Sequence, residues 1–419
     1  MTIHKHKLSN NLELYIKQDK RAPVVLSQIW YKVGSIYEPA NITGISHMLE
    51  HMMFKGTDKY TKEDMNSLVE NNGGVQNAFT SFDFTAYYQF WHKKNLELSL
   101  SIESSRMANL KFDDAEFTPE RKVVIEERNL RVEDKPFGYA FEQFMKLAYK
   151  TESRHTPIIG WMEDIKNYKL DDLKNWYQQN YAPNNAAIVI VGDVEPKEVI
   201  AKVESHFGNI PQSNITPKKT DKSILNTGYR HTAIQKSPND LDAAILGYIT
   251  PSLTTDFEKN DPYALMILNT VLGSADASIL QKEMVRDNSY CCHIDTEYSP
   301  FINGEDIFLI TAIANQPHTL AEIQSKVEEI IDNLKVNGIT QEQLDRAKVT
   351  IKADKVFSMD SMETQANRIG TLACMGLDVD YYRYIDELYK VSTDDVSRVL
   401  NKFFAKENLA SLYLLKDSE

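Results

Sequence analysis

Apolar residues recur along this chain with two periods, and each switch of period marks an element. Residues 6–18 alternate on either side of Asn10-Asn11, a turn signal, and predict a hairpin that opens a sheet. From Pro23 to Val33, the side chains of Val24, Val25, Leu26, Ile29, Trp30, Tyr31 and Val33 predict a buried strand. Residues 75–90 are rich in aromatic and β-branched side chains and predict two strands or one bent strand. Ala186 to Val191 is an unbroken apolar run, which predicts a buried strand. Helical spacing predicts helices over residues 44–57, 62–72, 96–110, 118–130, 137–149, 171–181 and 196–207.

The pattern then repeats. Asp171-Asp172-Leu173, Tyr181-Ala182 and Asn185-Ala186-Ala187 return as Asp394-Asp395-Val396, Phe404-Ala405 and Asn408-Leu409-Ala410, at a constant offset of 223 residues. Thr118 and Glu120 find counterparts in Thr340 and Glu342. Between the copies, residues 209–228 are polar and contain Pro211 and Pro217, the features of a linker. The pattern predicts an α+β protein of two homologous domains, each a mainly antiparallel sheet with helices packed on one face. The expected boundaries are 1–208, a linker over 209–228, and 229–419.

One helix carries candidate chemistry. Over Gly44 to Thr57, His47 and His51 are four residues apart, so both imidazoles share a face, about 40° apart around the axis. Glu50 lies on the same side. Two histidines and a carboxylate so arranged can hold a metal and poise a base over a water. The order H-x-x-E-H inverts the commoner H-E-x-x-H of zinc proteases. Thr43 is the expected N-cap and Gly56 the expected stop. A second helix, expected to start at Thr118-Pro119, lines up Glu120, Val123, Val124, Glu127 and Leu130. Glu127 suits a metal better than Glu126, which falls off the stripe, although spacing alone also admits a surface helix with solvated acids. The second copy has no such set. Its counterpart of the histidine helix, Tyr263 to Gly273, is simply apolar, and Val349 stands roughly where Glu127 does.

Composition changes this picture little. With 42% hydrophobic and 26% charged residues it is that of a globular protein, and no apolar run is long enough for a membrane span. A net charge of -13 argues against nucleic-acid partners, because phosphate would be repelled. Three cysteines, two of them the adjacent Cys291 and Cys292, make no disulfide framework. No leader precedes the first strand, so the chain is expected to be cytoplasmic if Met1 is its native start. It is expected to be periplasmic if a signal peptide has been removed.

Gly44 through Thr57 resembles the inverted zinc signature of the pitrilysin/insulinase metallopeptidases, nearest the branch of mitochondrial processing peptidase and its bacterial relatives. Val33-Gly34-Ser35, Asn77-Ala78-Phe79-Thr80, Glu120 to Glu127, Pro157-Ile158-Ile159-Gly160 and Tyr181-Ala182-Pro183-Asn184-Asn185 extend the likeness over nearly the whole chain. The resemblance implies a zinc endopeptidase acting on unfolded polypeptides, with one zinc per chain held by His47, His51 and Glu127. It implies Glu50 as general base, Glu120 as the acid that orients a ligand, and Asn77 and Ala78 as partners of the peptide backbone. The family's second half usually carries an Arg and a Tyr seven residues apart. Here Tyr290 fits the Tyr, but Glu283 stands at the Arg position, with Arg286 one turn nearer. The expectation is a homo- or heterodimer whose homologous subunit supplies the donor pair and closes a chamber. The rivals are a catalytically silent core subunit and a module that binds a peptide strand along Asn77 without cleaving it.

Overall fold

The structure is a computed structural model that describes residues 2–149, 153–215, 228–236, 241–255, 257–275 and 277–416. It contains two compact units. The first holds a six-stranded sheet of β1 (Ile3–Lys7), β2 (Glu13–Gln18), β3 (Val24–Tyr31), β4 (Val75–Thr80), β5 (Thr85–His92) and β6 (Ala186–Gly192). Their order is β1-β2-β6-β3-β5-β4, and every pair is antiparallel except β2 with β6. The strand β6, flanked on both edges and covered on both faces, is buried at every position, as its unbroken apolar run requires. The expected pair over residues 75–90 is an antiparallel hairpin, and it places β4 at the sheet's edge.

The second unit holds β7 (Arg230–Gln235), β8 (Ala243–Thr250), β9 (Cys291–Glu297), β10 (Asp306–Ala314) and β11 (Leu409–Leu415). Their order, β7-β11-β8-β10-β9, reproduces that of the first sheet without its first strand. The parallel pair recurs between β11 and β7, and β6 and β11 begin at Ala186 and Leu409, the offset found in the sequence. Cys291 is buried and Cys292 exposed, on opposite faces of β9, and all three cysteines are free. Among the described residues no helix is long and apolar enough to cross a membrane.

The units do not follow the chain. The first comprises Met1–Arg128, Thr156–Lys219 and Ser358–Asp380; the second comprises Asn129–His155, Thr220–Phe357 and Tyr381–Glu419. Boundaries at 208 and 229 therefore cut through each unit, and much of the expected linker, residues 216–227, lies outside the described residues. The helix Met362–Cys374, late in the sequence, packs on β3 and β6 of the first sheet. There Asn367 accepts a hydrogen bond from Gln28 (2.7 Å), and Gly370 lies against Trp30, so close that a Cβ would sit 2.0 Å from the indole. Reciprocally, the helix Pro136–Ala148 packs on β11, β8 and β7, with Phe144 against Gly247. Periodicity predicts the first-half helix over 137–149, whereas the sequence reading names none over 362–374, and an amphipathic pattern carries no information about which sheet a helix covers.

Candidate metal centre

The histidine helix runs Ile45–Met52 and buries Ile45, Met48, Leu49 and Met52 completely. Its start corrects the sequence reading. The N-cap is Gly44, in the left-handed region at φ 82°, and Thr43 does not cap. Instead the Glu38 carboxylate accepts from the N–H groups of Gly44 (2.6 Å) and Ser46 (2.8 Å). It does what a capping side chain does, from a separate turn, although burial raises its pKa to about 7 against the Ser46 and Gly44 N–H bonds that favour the charged form. Thr43 donates to Asp164 (2.5 Å) and accepts from the Trp161 N–H (2.9 Å). A Cβ on Gly44 would meet the Ile159 carbonyl at 2.2 Å, and one on Gly160 would meet the Thr43 carbonyl at 2.3 Å, so two glycines let these segments touch. The helix ends at Met52, ahead of Gly56.

The second helix is Asp114–Arg128, and it begins a turn before Thr118. Asp113 caps it, accepting from Ala115 through its side chain and from Phe117 through its carbonyl (both 2.9 Å). Pro119 sits inside, at the cost of the bond the Ala115 carbonyl would accept. The predicted stripe is correct only in part. Glu120 and Val124 are buried, whereas Val123 and Leu130 are exposed.

The two helices bring the predicted ligands together. One donor atom each from His47, His51 and Glu127 lie within 4.8 Å of one another, the sole such group among the described residues. Glu127 Oε2 is 3.3 Å from His51 Nε2 and 3.7 Å from His47 Nε2. Ligand atoms bound tetrahedrally at zinc distances would be roughly 3.3 Å apart, so two imidazoles and a carboxylate so placed fit that ion. His51 Nδ1 is 2.8 Å from Glu120 Oε1; when Nδ1 carries the proton, Nε2 points its lone pair at the group. Burial works against a charge on His51, but the carboxylates of Glu120 and Glu127 outweigh it and raise its pKa to about 9. Burial would likewise raise Glu120, yet His51 and Lys55 hold it below the usual carboxylate range.

Three residues to which the sequence reading assigns no role support the set. Lys55 pairs with Glu120. It lies four residues beyond His51, a spacing that could have suggested it. Thr80 donates to Glu50 and Glu38 caps the histidine helix; no local signal announces either. Asn77 and Ala78 lie on β4, where the Ala78 N–H donates to the Asn77 side chain (2.9 Å). Tyr290 belongs to the second unit, just before β9, with its ring 4.5 Å from that of His318.

The family described as Insulinase (Peptidase family M16) matches residues 14–160, and Peptidase M16 inactive domain matches residues 167–350. The zinc protease PqqE of Helicobacter pylori is 32% identical over 415 residues, covering 97% of this chain and 91% of its own. The chain belongs to the M16 peptidase family. A second M16 relative, the probable mitochondrial-processing peptidase subunit beta of Arabidopsis thaliana, is 24% identical over 96% of this chain and 76% of its own length. The crystal structure of a protease from Helicobacter pylori superposes with a TM-score of 0.92 at 30% identity, covering 99% of each chain. The M16 fold, two similar α+β units, is that described above. The inactive-domain match includes most of the second copy of the repeat, where the apolar helix Asp261–Leu272 stands in place of the histidine helix.

Proposed function

We propose that the chain is a zinc-dependent endopeptidase that cleaves peptides or unfolded polypeptide segments, with one zinc held by His47, His51 and Glu127. The observation that carries this reading is the convergence of those three donors beside Glu50. Bound there, zinc supplies Lewis acidity, polarising the scissile carbonyl and making water a stronger acid. Glu50 accepts the proton of the attacking water and returns it to the departing amine. Glu120 holds the His51 ring in orientation, and Lys55 balances the charge of Glu120. The edge of β4 at Asn77 and Ala78 receives the substrate as an added strand.

Glu283, at the position where the family usually has an arginine, supports a dependence on a second subunit. A homologous partner would complete the donors around the reacting carbonyl, together with or in place of Tyr290, and would close the chamber. The same residue is the specific feature favouring the second reading, a silent core subunit.

The test is zinc content together with cleavage of a quenched peptide, for the chain alone and after Glu50→Gln. One zinc per chain and a rate lowered at least about 100-fold by Glu50→Gln are expected. One zinc without turnover in either protein, restored by a homologous partner, would assign the missing donors to that partner. Absence of zinc would overturn the reading.

A further inference from the structure

We propose that Thr80 is the positioning residue for Glu50 and that it ties this base to the strand edge that receives the substrate. The inference rests on the function proposed above. The Thr80 hydroxyl donates to Glu50 Oε2 at 2.5 Å, so the carboxylate's rotation is set by a side chain from another element. Thr80 is the last residue of β4, and the two residues after it are anchored through their backbone. The Ser35 and Ile36 N–H groups donate to the carbonyls of Ser81 (3.2 Å) and Phe82 (3.1 Å). Gly34 permits this approach, since a Cβ there would stand 2.3 Å from the Ser81 oxygen. Before Thr80, the Phe79 ring packs edge-on against Trp30, with centroids 5.4 Å apart.

The register gives Thr80 its second role. Ser81 donates to the Phe84 carbonyl (2.8 Å), which makes 81 and 84 a hydrogen-bonded pair, and such pairs alternate along an antiparallel ladder. The main-chain groups of Gln76, Ala78 and Thr80 therefore face away from β5, toward an added strand. A peptide seated on this edge engages the residues whose last member holds Glu50. Seating the substrate and orienting the base thus share one short segment, and removing the hydroxyl should slow the chemical step without weakening binding.

The experiment uses the full-length zinc-loaded chain, its partner included where turnover requires one, with Thr80→Val and Thr80→Ser. Valine keeps the shape and removes the donor. Thr80→Val is expected to lower kcat about 10- to 100-fold, as a misplaced catalytic group does, with KM within about twofold and zinc retained. Thr80→Ser is expected to recover most of the loss. A second readout needs no turnover: the infrared carboxylate band of Glu50, isolated as wild type minus Glu50→Gln, should shift upward in Thr80→Val. Wild-type kcat in Thr80→Val, a loss that serine does not repair, loss of zinc, or an unmoved band would each overturn the proposal. Full activity in Glu50→Gln would sink the peptidase mechanism instead, with the infrared band still deciding the role of Thr80.

Discussion

At the scale of single residues, the site is governed by a proton that a metal must displace. In the metal-free chain, Glu120 and Glu127 raise the His51 pKa from 6.5 to about 9. A raised pKa means that the folded chain holds this proton more tightly than the unfolded one. Its contribution to stability is complete below about pH 6.5 and is lost as pH climbs through about 9. The melting temperature of the metal-free chain should therefore fall between pH 6 and pH 9.5, and His51→Gln should shrink that difference. Zinc competes for the same nitrogen, so its affinity should rise about tenfold per pH unit up to about pH 9. Calorimetry in buffers of different ionisation enthalpy should detect the released proton near pH 7.5. Glu120→Gln weakens the hold on the His51 ring and should cost about 10- to 100-fold in zinc affinity, read by competition with a chromophoric chelator.

At the scale of elements, the histidine helix depends on what meets its first turn. Glu38 satisfies two of its N–H groups, so Glu38→Ala should destabilise the chain by about 1–2 kcal/mol. Glu38→Gln, which keeps an acceptor, should cost less; denaturant unfolding would measure both. Gly44→Ala should be worse, since φ 82° disfavours a side chain and the Ile159 carbonyl occupies its space. These contacts also mark the limit of what the sequence discloses. The spacing of His47, Glu50 and His51 on one helix is local, and periodicity alone places them on one face. Glu127 needs a second helix, and its spacing alone also fits a solvated surface acid. Glu38 and Thr80 act on that helix from a turn and a strand whose own sequences carry no mark of the contact. Thr43 and Thr118 have the chemistry of caps, but Glu38 and Asp113 take those positions because the loops deliver them there.

At the scale of the whole molecule, the repeat was legible to the residue, as Ala186 and Leu409 opening equivalent strands demonstrate. The exchange of helices was not, because an amphipathic pattern states that a face must be covered and not by what. Each unit is completed by a segment from the other half of the chain. Residues 1–208 produced alone lack the helix that covers Gln28 and Trp30. That fragment should bind a hydrophobic dye and unfold without a cooperative transition, and adding residues 209–419 should restore one. Synthesis order gives the same exchange another meaning. The first sheet can form its hairpins as they leave the ribosome, yet its helix ends only at Cys374, of 419 residues. From the time its hairpins form until Cys374 has emerged, one face of the nascent sheet stays open to chaperones and to neighbouring chains, and neither unit can finish folding before the second copy of the repeat is made.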